Sequence, residues 1–197
     1  MLLRYSNGSP FGRKASMAAH ALGLAGKIKM VDHAADAENT TRQRNPLHKI
    51  PMLITDSGTE IFDSPVIMEY LDHVAGGGKL FPAEGEARYK ALSKLALADG
   101  ITEASVLIHY EDRWRTPEQR NEKWVEHQRG KVERALGVFE NDIPAVFDGA
   151  AMGLFCAIYF VDRQKDIDWR AKFPKLAAWY DRMCETEPSA IATQTKG

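Results

Sequence analysis

The apolar positions of this chain follow a strand-like alternation and a helical period in turn, and their order predicts the first domain. Leu2 to Tyr5 reads as a short strand, after which Phe11, Ala15, Ala18, Ala19 and Leu22 recur at helical spacing until Gly23 ends the pattern. Ile28 to Val31 alternates like a second strand. A polar, weakly periodic stretch follows, from Ala37 to Asn45. Beyond it, Pro51 to Thr55 and Thr59 to Phe62 flank Asp56-Ser57-Gly58, the composition of a hairpin turn between two strands. Val66, Ile67, Tyr70, Leu71 and Val74 then share one face of a helix.

The elements thus run βαβ and then ββα, a thioredoxin-like arrangement. Gly76-Gly77-Gly78-Lys79-Leu80-Phe81-Pro82 is the clearest break: three glycines release the helix and the proline opposes an early restart. The remainder reads as helix. One long pattern runs from Gly85 to Arg115, another from Pro117 to Asn141, and a third begins near Asp148. A further helix opens at Pro174, with Leu176, Trp179, Tyr180 and Met183 as its apolar stripe. The prediction is an α/β thioredoxin-like N-terminal domain over residues 1–75, a linker over 76–84 and an all-α C-terminal helical domain over 85–197.

Composition narrows the partners. With 44% hydrophobic and 27% charged residues, interspersed signs and a formal net charge of −1, the chain lacks the basic excess that phosphate neutralisation needs, so no nucleic acid is expected. No apolar run approaches the ~20 residues that cross a bilayer, and MLLRYSNGSP is too short in its apolar part for a signal peptide. The expectation is a cytoplasmic protein with no membrane partner. Cys156 and Cys184 have neither disulfide-framework nor metal spacing, and Cys156, inside an apolar run, reads as a buried structural thiol. The histidines show no ligand spacing either, so no metal is expected.

Two helix starts carry candidate chemistry. Asp63 closes a strand run, Ser64 is placed as N-cap and Pro65 at the first helical position, which makes a start that attracts a carboxylate. Ser9 precedes Pro10 in the same way at the first helix. Between them, Asn45 to Leu53 leads into a strand through Ile50-Pro51, a bond expected to be cis, where the Ile50 backbone is open to an extended peptide. On its own, Ser64 reads equally well as a plain helix cap, and Ser9 reads first as one.

Ser9-Pro10-Phe11-Gly12-Arg13-Lys14, Asn45-Pro46 with Lys49-Ile50-Pro51-Met52-Leu53, and Phe62-Asp63-Ser64-Pro65 through Leu71 stand in an order that resembles the glutathione S-transferase family. Ala96 to Ile101 and Trp169-Arg170 with Phe173 to Tyr180 extend the resemblance over essentially the whole chain. It looks most like the bacterial members with serine before Pro-Phe. The resemblance implies the glutathione S-transferase fold, glutathione as co-substrate, a small electrophile as second substrate and a homodimer.

The resemblance makes Ser9 the donor to the glutathione sulfur, a thiol whose free pKa of about 8.5 leaves little thiolate at neutral pH. Ser6 and Tyr5 are alternative donors close in sequence. Phe11 lies beside Ser9, Ile50 and Pro51 would face the cysteinyl backbone, and Asp63 and Ser64 would take the γ-glutamyl ammonium and carboxylate. His48 and Lys49 are candidates for the glycyl carboxylate and read equally as solvated loop residues, while Arg13 and Lys14 read as an exposed helix face. His109, Tyr110 and Arg113, with Trp114, are candidates for an electrophile wall, a core or solvated role being equally open. Asp99, otherwise a surface charge, would reach the γ-glutamyl ammonium bound by a second copy. Glu111 to Trp124 reads mostly as solvated helix surface. The family's Ser/Thr-x-x-Asp at the buried helix is Asp148-Gly149-Ala150-Ala151 here, which keeps the cap and loses its reciprocal half, an expected cost of ~1 kcal/mol.

The expected activity is attack of glutathione on a small electrophile, or reduction of a hydroperoxide. The alternative is a non-catalytic binding or protein-interaction module on the same fold. A thiol oxidoreductase is disfavoured, because no cysteine occurs near the first strand and helix.

Overall fold

The computed structural model describes residues 1–33, 43–164 and 167–194, so most of the polar stretch that starts at Ala37 lies outside the described residues. Among those described, β1 (Leu2–Tyr5), β2 (Lys29–Asp32), β3 (Met52–Ile54) and β4 (Glu60–Ile61) form one sheet in the order β2-β1-β3-β4. Helix α1 (Pro10–Ala21) is the crossover that makes β2 parallel to β1, with Leu3 beside Met30. β3 is antiparallel to β1, with Leu3 beside Leu53, and the hairpin sets Leu53 beside Ile61 of β4. The predicted βαβ-ββα order is the observed one. Leu3, Met52 and Leu53 are fully buried, together with Ala15, Ala18 and Ala19 of α1 and Ile67, Met68 and Leu71 of α2 (Ser64–Val74). The alanines let α1 pack closely on both α2 and the sheet.

The start of α2 is shifted by one residue from expectation. Ile67 N donates to Asp63 O at 3.0 Å, so Asp63 is the N-cap, Ser64 is already helical and Pro65 is the second helical residue. The glycine run after α2 is a tight wrap. Gly76, Gly77 and Gly78 adopt φ of 103°, 76° and 74°, which only glycine takes without strain. They turn the chain around the buried Asp72 carboxylate. Its Oδ1 accepts from Lys79 N (3.0 Å) and Leu80 N (3.1 Å), and Oδ2 from Phe81 N (3.3 Å). Arg88, on the first turn of α3 (Gly85–Trp114), then pairs with Glu69 of α2 and donates to Pro82 O at 3.2 Å.

The chain accordingly divides into two compact units, and the division falls within α3 after Leu92 rather than in the glycine run. The first unit also takes in the segment from Cys184 onward, where α7 (Pro174–Thr186) ends and α8 (Pro188–Ala192) follows. Arg13 of α1 holds this segment: its Nε donates to Thr193 Oγ1 (3.4 Å) and an Nη to Ala190 O (3.2 Å). Arg13 and Lys14 are therefore buried, at 2% and 1% exposure, against the expectation of an exposed face. α1 is covered by α8 as well as by α2.

The second unit, Ser93–Met183, is helical among the described residues. The helix expected from Pro117 begins later. Pro117–Gln119 forms a single 3-10 turn, Arg120 is extended, and Asn121 caps α4 (Glu122–Asn141) by accepting from Trp124 N at 3.1 Å. Asp148 caps α5 (Gly149–Val161) as expected, accepting from Ala151 N at 2.9 Å. α5 is buried along almost its whole length, and Phe155 meets Phe147 and Trp179 edge-on and Tyr180 at a tilt. A short helix, α6 (Trp169–Lys172), precedes α7, whose first N–H groups are received by Glu140 of α4: Lys175 N at 3.1 Å and Leu176 N at 2.8 Å.

Candidate functional site

Three chain segments converge because of the sheet's register. β1 ends at Tyr5 just where its antiparallel neighbour β3 begins after Pro51, Arg4 standing beside Met52. β4 runs back along β3 and ends at the same edge, Ile61 beside Leu53, immediately before Asp63. The N-terminus of α1, the Ile50-Pro51 turn and the N-terminus of α2 are thus brought to one end of the sheet. The structure places Ser9, Ile50, Pro51, Asp63 and Ser64 there together. The Ile50-Pro51 peptide bond is cis, as the sequence predicts.

Ser9 is the N-cap of α1, its Oγ accepting from Gly12 N at 3.3 Å. That bond uses a lone pair and leaves the hydroxyl proton available for a sulfur. The helix start is drawn against the preceding loop. A Cβ on Gly12 would stand 2.5 Å from Ser6 O, so only glycine permits the approach. Ser9 N donates to Ser6 O at 3.1 Å, and Ser6 Oγ accepts from Gly8 N at 3.3 Å. Tyr5 is differently engaged. Burial, and then the Asp32 carboxylate, raise its pKa above the ordinary 10.0, opposed by a hydrogen bond with Ser16. Phe11 is half-buried, with the Lys14 ammonium 5.9 Å from its ring centroid.

At α2 the two candidates differ sharply. Asp63 is exposed, and its carboxylate makes no hydrogen bond or ion pair among the described residues. Ser64 is fully buried, and its Oγ has no partner. A buried, unpaired hydroxyl at a helix N-terminus, beside an unpaired carboxylate, is an arrangement that a bound ammonium-carboxylate group satisfies at once.

His48 and Lys49 lie on the exposed loop that leads to Pro51, and His48 adopts φ 53°. The loop is set by Asn45, which the sequence marks only as the start of the segment leading to Ile50-Pro51. Its buried side chain donates to Lys49 O (2.8 Å) and accepts from Leu47 N (3.0 Å), while His48 N donates to Asn45 O (2.8 Å).

The remaining candidates belong to the second unit. Asp99 is half-buried in α3. His109 is exposed and meets Phe160 edge-on at 5.9 Å, and Arg113 lies 5.1 Å over the Trp114 ring. A cavity of about 710 Å³ at the end of α3 is lined by Tyr110, Trp114 and Trp124, but not by His109 or Arg113. Glu111 also lines it, and it is the buried exception in residues 111–124, which are otherwise mostly exposed as the sequence reading expects. Glu111 is 6% exposed, accepting from Arg115 Nε at 2.8 Å and from Asn121 N at 2.9 Å. Among the described residues, no group of acidic, histidine or cysteine side chains is arranged to hold a metal, and no helix is long and apolar enough to cross a membrane.

Residues 8–74 match the family model for the glutathione S-transferase N-terminal domain, and residues 122–182 that for the C-terminal domain. A glutathione transferase family member from Pseudomonas fluorescens Pf-5, solved with bound S-(propanoic acid)-glutathione, is 38% identical, with 100% of both chains covered and a TM-score of 0.89. A glutathione S-transferase from Methylobacillus flagellatus KT, solved with glutathione, is 33% identical, with 99% of each chain covered and a TM-score of 0.89. The Uncharacterized GST-like protein YibF of Escherichia coli (strain K12) is 29% identical over 192 residues, 92% of this chain and 93% of that one.

Proposed function

As the chain belongs to the glutathione S-transferase family, we propose that it binds glutathione in its first unit and promotes attack of the thiol on a small electrophile, as a serine-type transferase. The observation that carries this reading is the unpaired, buried Ser64 hydroxyl beside the free Asp63 carboxylate, at the same end of the sheet as Ser9. Ser64 Oγ donates to the γ-glutamyl carboxylate, which also faces the N–H groups opening α2, and Asp63 pairs with the neighbouring ammonium. The Ile50 backbone beside Pro51 pairs with the cysteinyl residue as an added strand. His48 and Lys49 meet the glycyl carboxylate.

Ser9 donates its hydroxyl proton to the sulfur and so favours the thiolate, assisted by the positive end of α1. Each unit by which the thiol pKa falls is worth about 1.4 kcal/mol and nearly tenfold in thiolate while that fraction is small. The thiolate then forms a sulfur-carbon bond to the electrophile as the leaving group departs or a strained ring opens. With a hydroperoxide it attacks the terminal oxygen instead, the O–O bond breaks to release an alcohol, and a second glutathione thiol converts the resulting sulfenic acid to the disulfide and water. Tyr5 is the poorer donor, since burial and the Asp32 carboxylate raise its pKa and its hydroxyl is engaged with Ser16. His109, Tyr110 and Arg113 are the side chains the reading offers the electrophile. Asp99 completes the glutathione site of a second copy in a homodimer. A location in the cytoplasm, where glutathione is abundant, follows from this reading.

The test is ultraviolet difference absorbance of the thiolate on mixing with glutathione, followed by turnover of aromatic halides, epoxides, isothiocyanates and hydroperoxides. Thiolate formation near neutral pH and turnover of at least one class are expected. Glutathione binding with neither would leave a binding protein in place of the enzyme.

A further inference from the structure

We propose that the second unit encloses a hydration site where α3, α4 and the end of α5 meet, with a water molecule bonded to Ser105, Gln128 and Gln164. Ser105 and Gln128 are both 0% exposed, yet Ser105 Oγ and both polar atoms of the Gln128 amide have no partner. Gln164 Oε1, just beyond α5, is buried and unpaired as well.

These atoms belong to one place. Gln164 Nε2 donates to Ser105 O at 2.8 Å, which fixes Gln164 at Ser105 on α3. The edge-on contact of Phe160 with His109 continues the same alignment of α5 along α3. α4 runs antiparallel to α3, pinned at one end by Asn121 N on Glu111 and at the other by Lys94 on Asp142. That register sets Ser105 opposite Gln128. Gln128 lies between Val125 and Val132 on the buried face of α4, so its amide is turned inward.

The hydrogen-bonding inventory selects the occupant. The hydroxyl offers one donor, the Gln128 amide two donors and an acceptor oxygen, and Gln164 Oε1 an acceptor. Direct pairing of Ser105 with Gln128 leaves Gln164 Oε1 unmet and an amide N–H over. Water accepts from the Ser105 hydroxyl and from Gln128 Nε2 and donates to Gln164 Oε1, which makes the three bonds typical of a buried water and keeps a second proton for the remaining acceptor, Gln128 Oε1. All three side chains are uncharged, so neither a metal cation nor an anion finds compensation there.

Gln128→Met tests this, because it nearly conserves volume while removing both polar atoms. If the amide is hydrated, the change discards bonds and lowers Tm, by about 2–4 °C for a chain of this size. If the amide is dry, removing two unpaired polar atoms from the interior leaves Tm unchanged or raises it, and the proposal is overturned. Ser105→Ala, a smaller change, should move Tm in the same direction. A crystal structure decides between the two. Solvent density within hydrogen-bond distance of Ser105 Oγ, Gln128 and Gln164 Oε1 is expected, and a direct Ser105-Gln128 bond without it removes the site.

Discussion

Ser64→Ala separates ligand binding from folding with unusual clarity. In the free protein the Ser64 hydroxyl is buried without a partner, a condition that costs about 1–3 kcal/mol. Its removal should therefore leave Tm unchanged or raise it, each 1 kcal/mol appearing as about 2–4 °C. In the proposed glutathione complex the same hydroxyl donates to a carboxylate, and a hydrogen bond to a charged group is worth about 1.5–3 kcal/mol. At 1.4 kcal/mol per decade, Kd should rise roughly 10- to 150-fold. Isothermal titration with glutathione and thermal unfolding of the free protein give both numbers from one preparation. A lower Tm with unchanged Kd would mean that the hydroxyl serves the fold, and would refute the assignment of the γ-glutamyl site.

Other substitutions probe the rest of the molecule. Ser9→Ala should lower kcat about tenfold or more with little change in glutathione affinity, and unchanged turnover from pH 6 to 8 would pass its role to Ser6 or Tyr5. Asp99→Ala should raise Kd for glutathione without unfolding the protein, and light scattering should report twice the 22.0 kDa chain mass; a fully active monomer would dismiss the shared site. Asp72→Ala leaves two buried N–H donors and a part-buried one without their carboxylate and should cost about 3 kcal/mol or more in denaturant unfolding, where a loss below about 1 kcal/mol would contradict its role. The raised pKa of Tyr5 means that the folded state holds the phenolic proton more tightly than the unfolded chain. Its contribution is complete below the ordinary value of 10.0 and is lost as pH rises through the folded value, so Tyr5→Phe should flatten this alkaline decline.

The sheet was legible because its signals are local. Alternation at Leu2–Tyr5, the Asp56-Ser57-Gly58 turn and the Ser-Pro pairs each depend on neighbours a few residues away. The helix start at Ser64 was legible to within one residue, since Asp63 and Ser64 are both competent caps and only the bond from Ile67 N chooses between them. Arg13, Lys14, Asp72 and Glu111 were misread or passed over for a common reason. Each is a charged residue kept inside, and partners have been identified for three of them: Thr193 and Ala190 for Arg13, the backbone of residues 79–81 for Asp72, Arg115 and Asn121 N for Glu111. Composition assigns such residues to the surface, and no short-range pattern marks the exception. Asn45 is visible only as the start of the segment leading to Ile50-Pro51, and its hold on the loop carrying His48 and Lys49 depends on burial, which a single sequence does not display.

The clasp between Arg13 and the segment at Ala190–Thr193 has a consequence for the order in which the protein matures. The ribosome delivers the β-sheet first and the residues that complete its unit last, with the whole of Ser93–Met183 in between. Until that last stretch emerges, α1 lacks one of its covering helices and Arg13 lacks the acceptors at Ala190 and Thr193. The nascent sheet domain must therefore wait in an incomplete form while a second unit is synthesised, a period in which its uncovered helix face is open to chaperones.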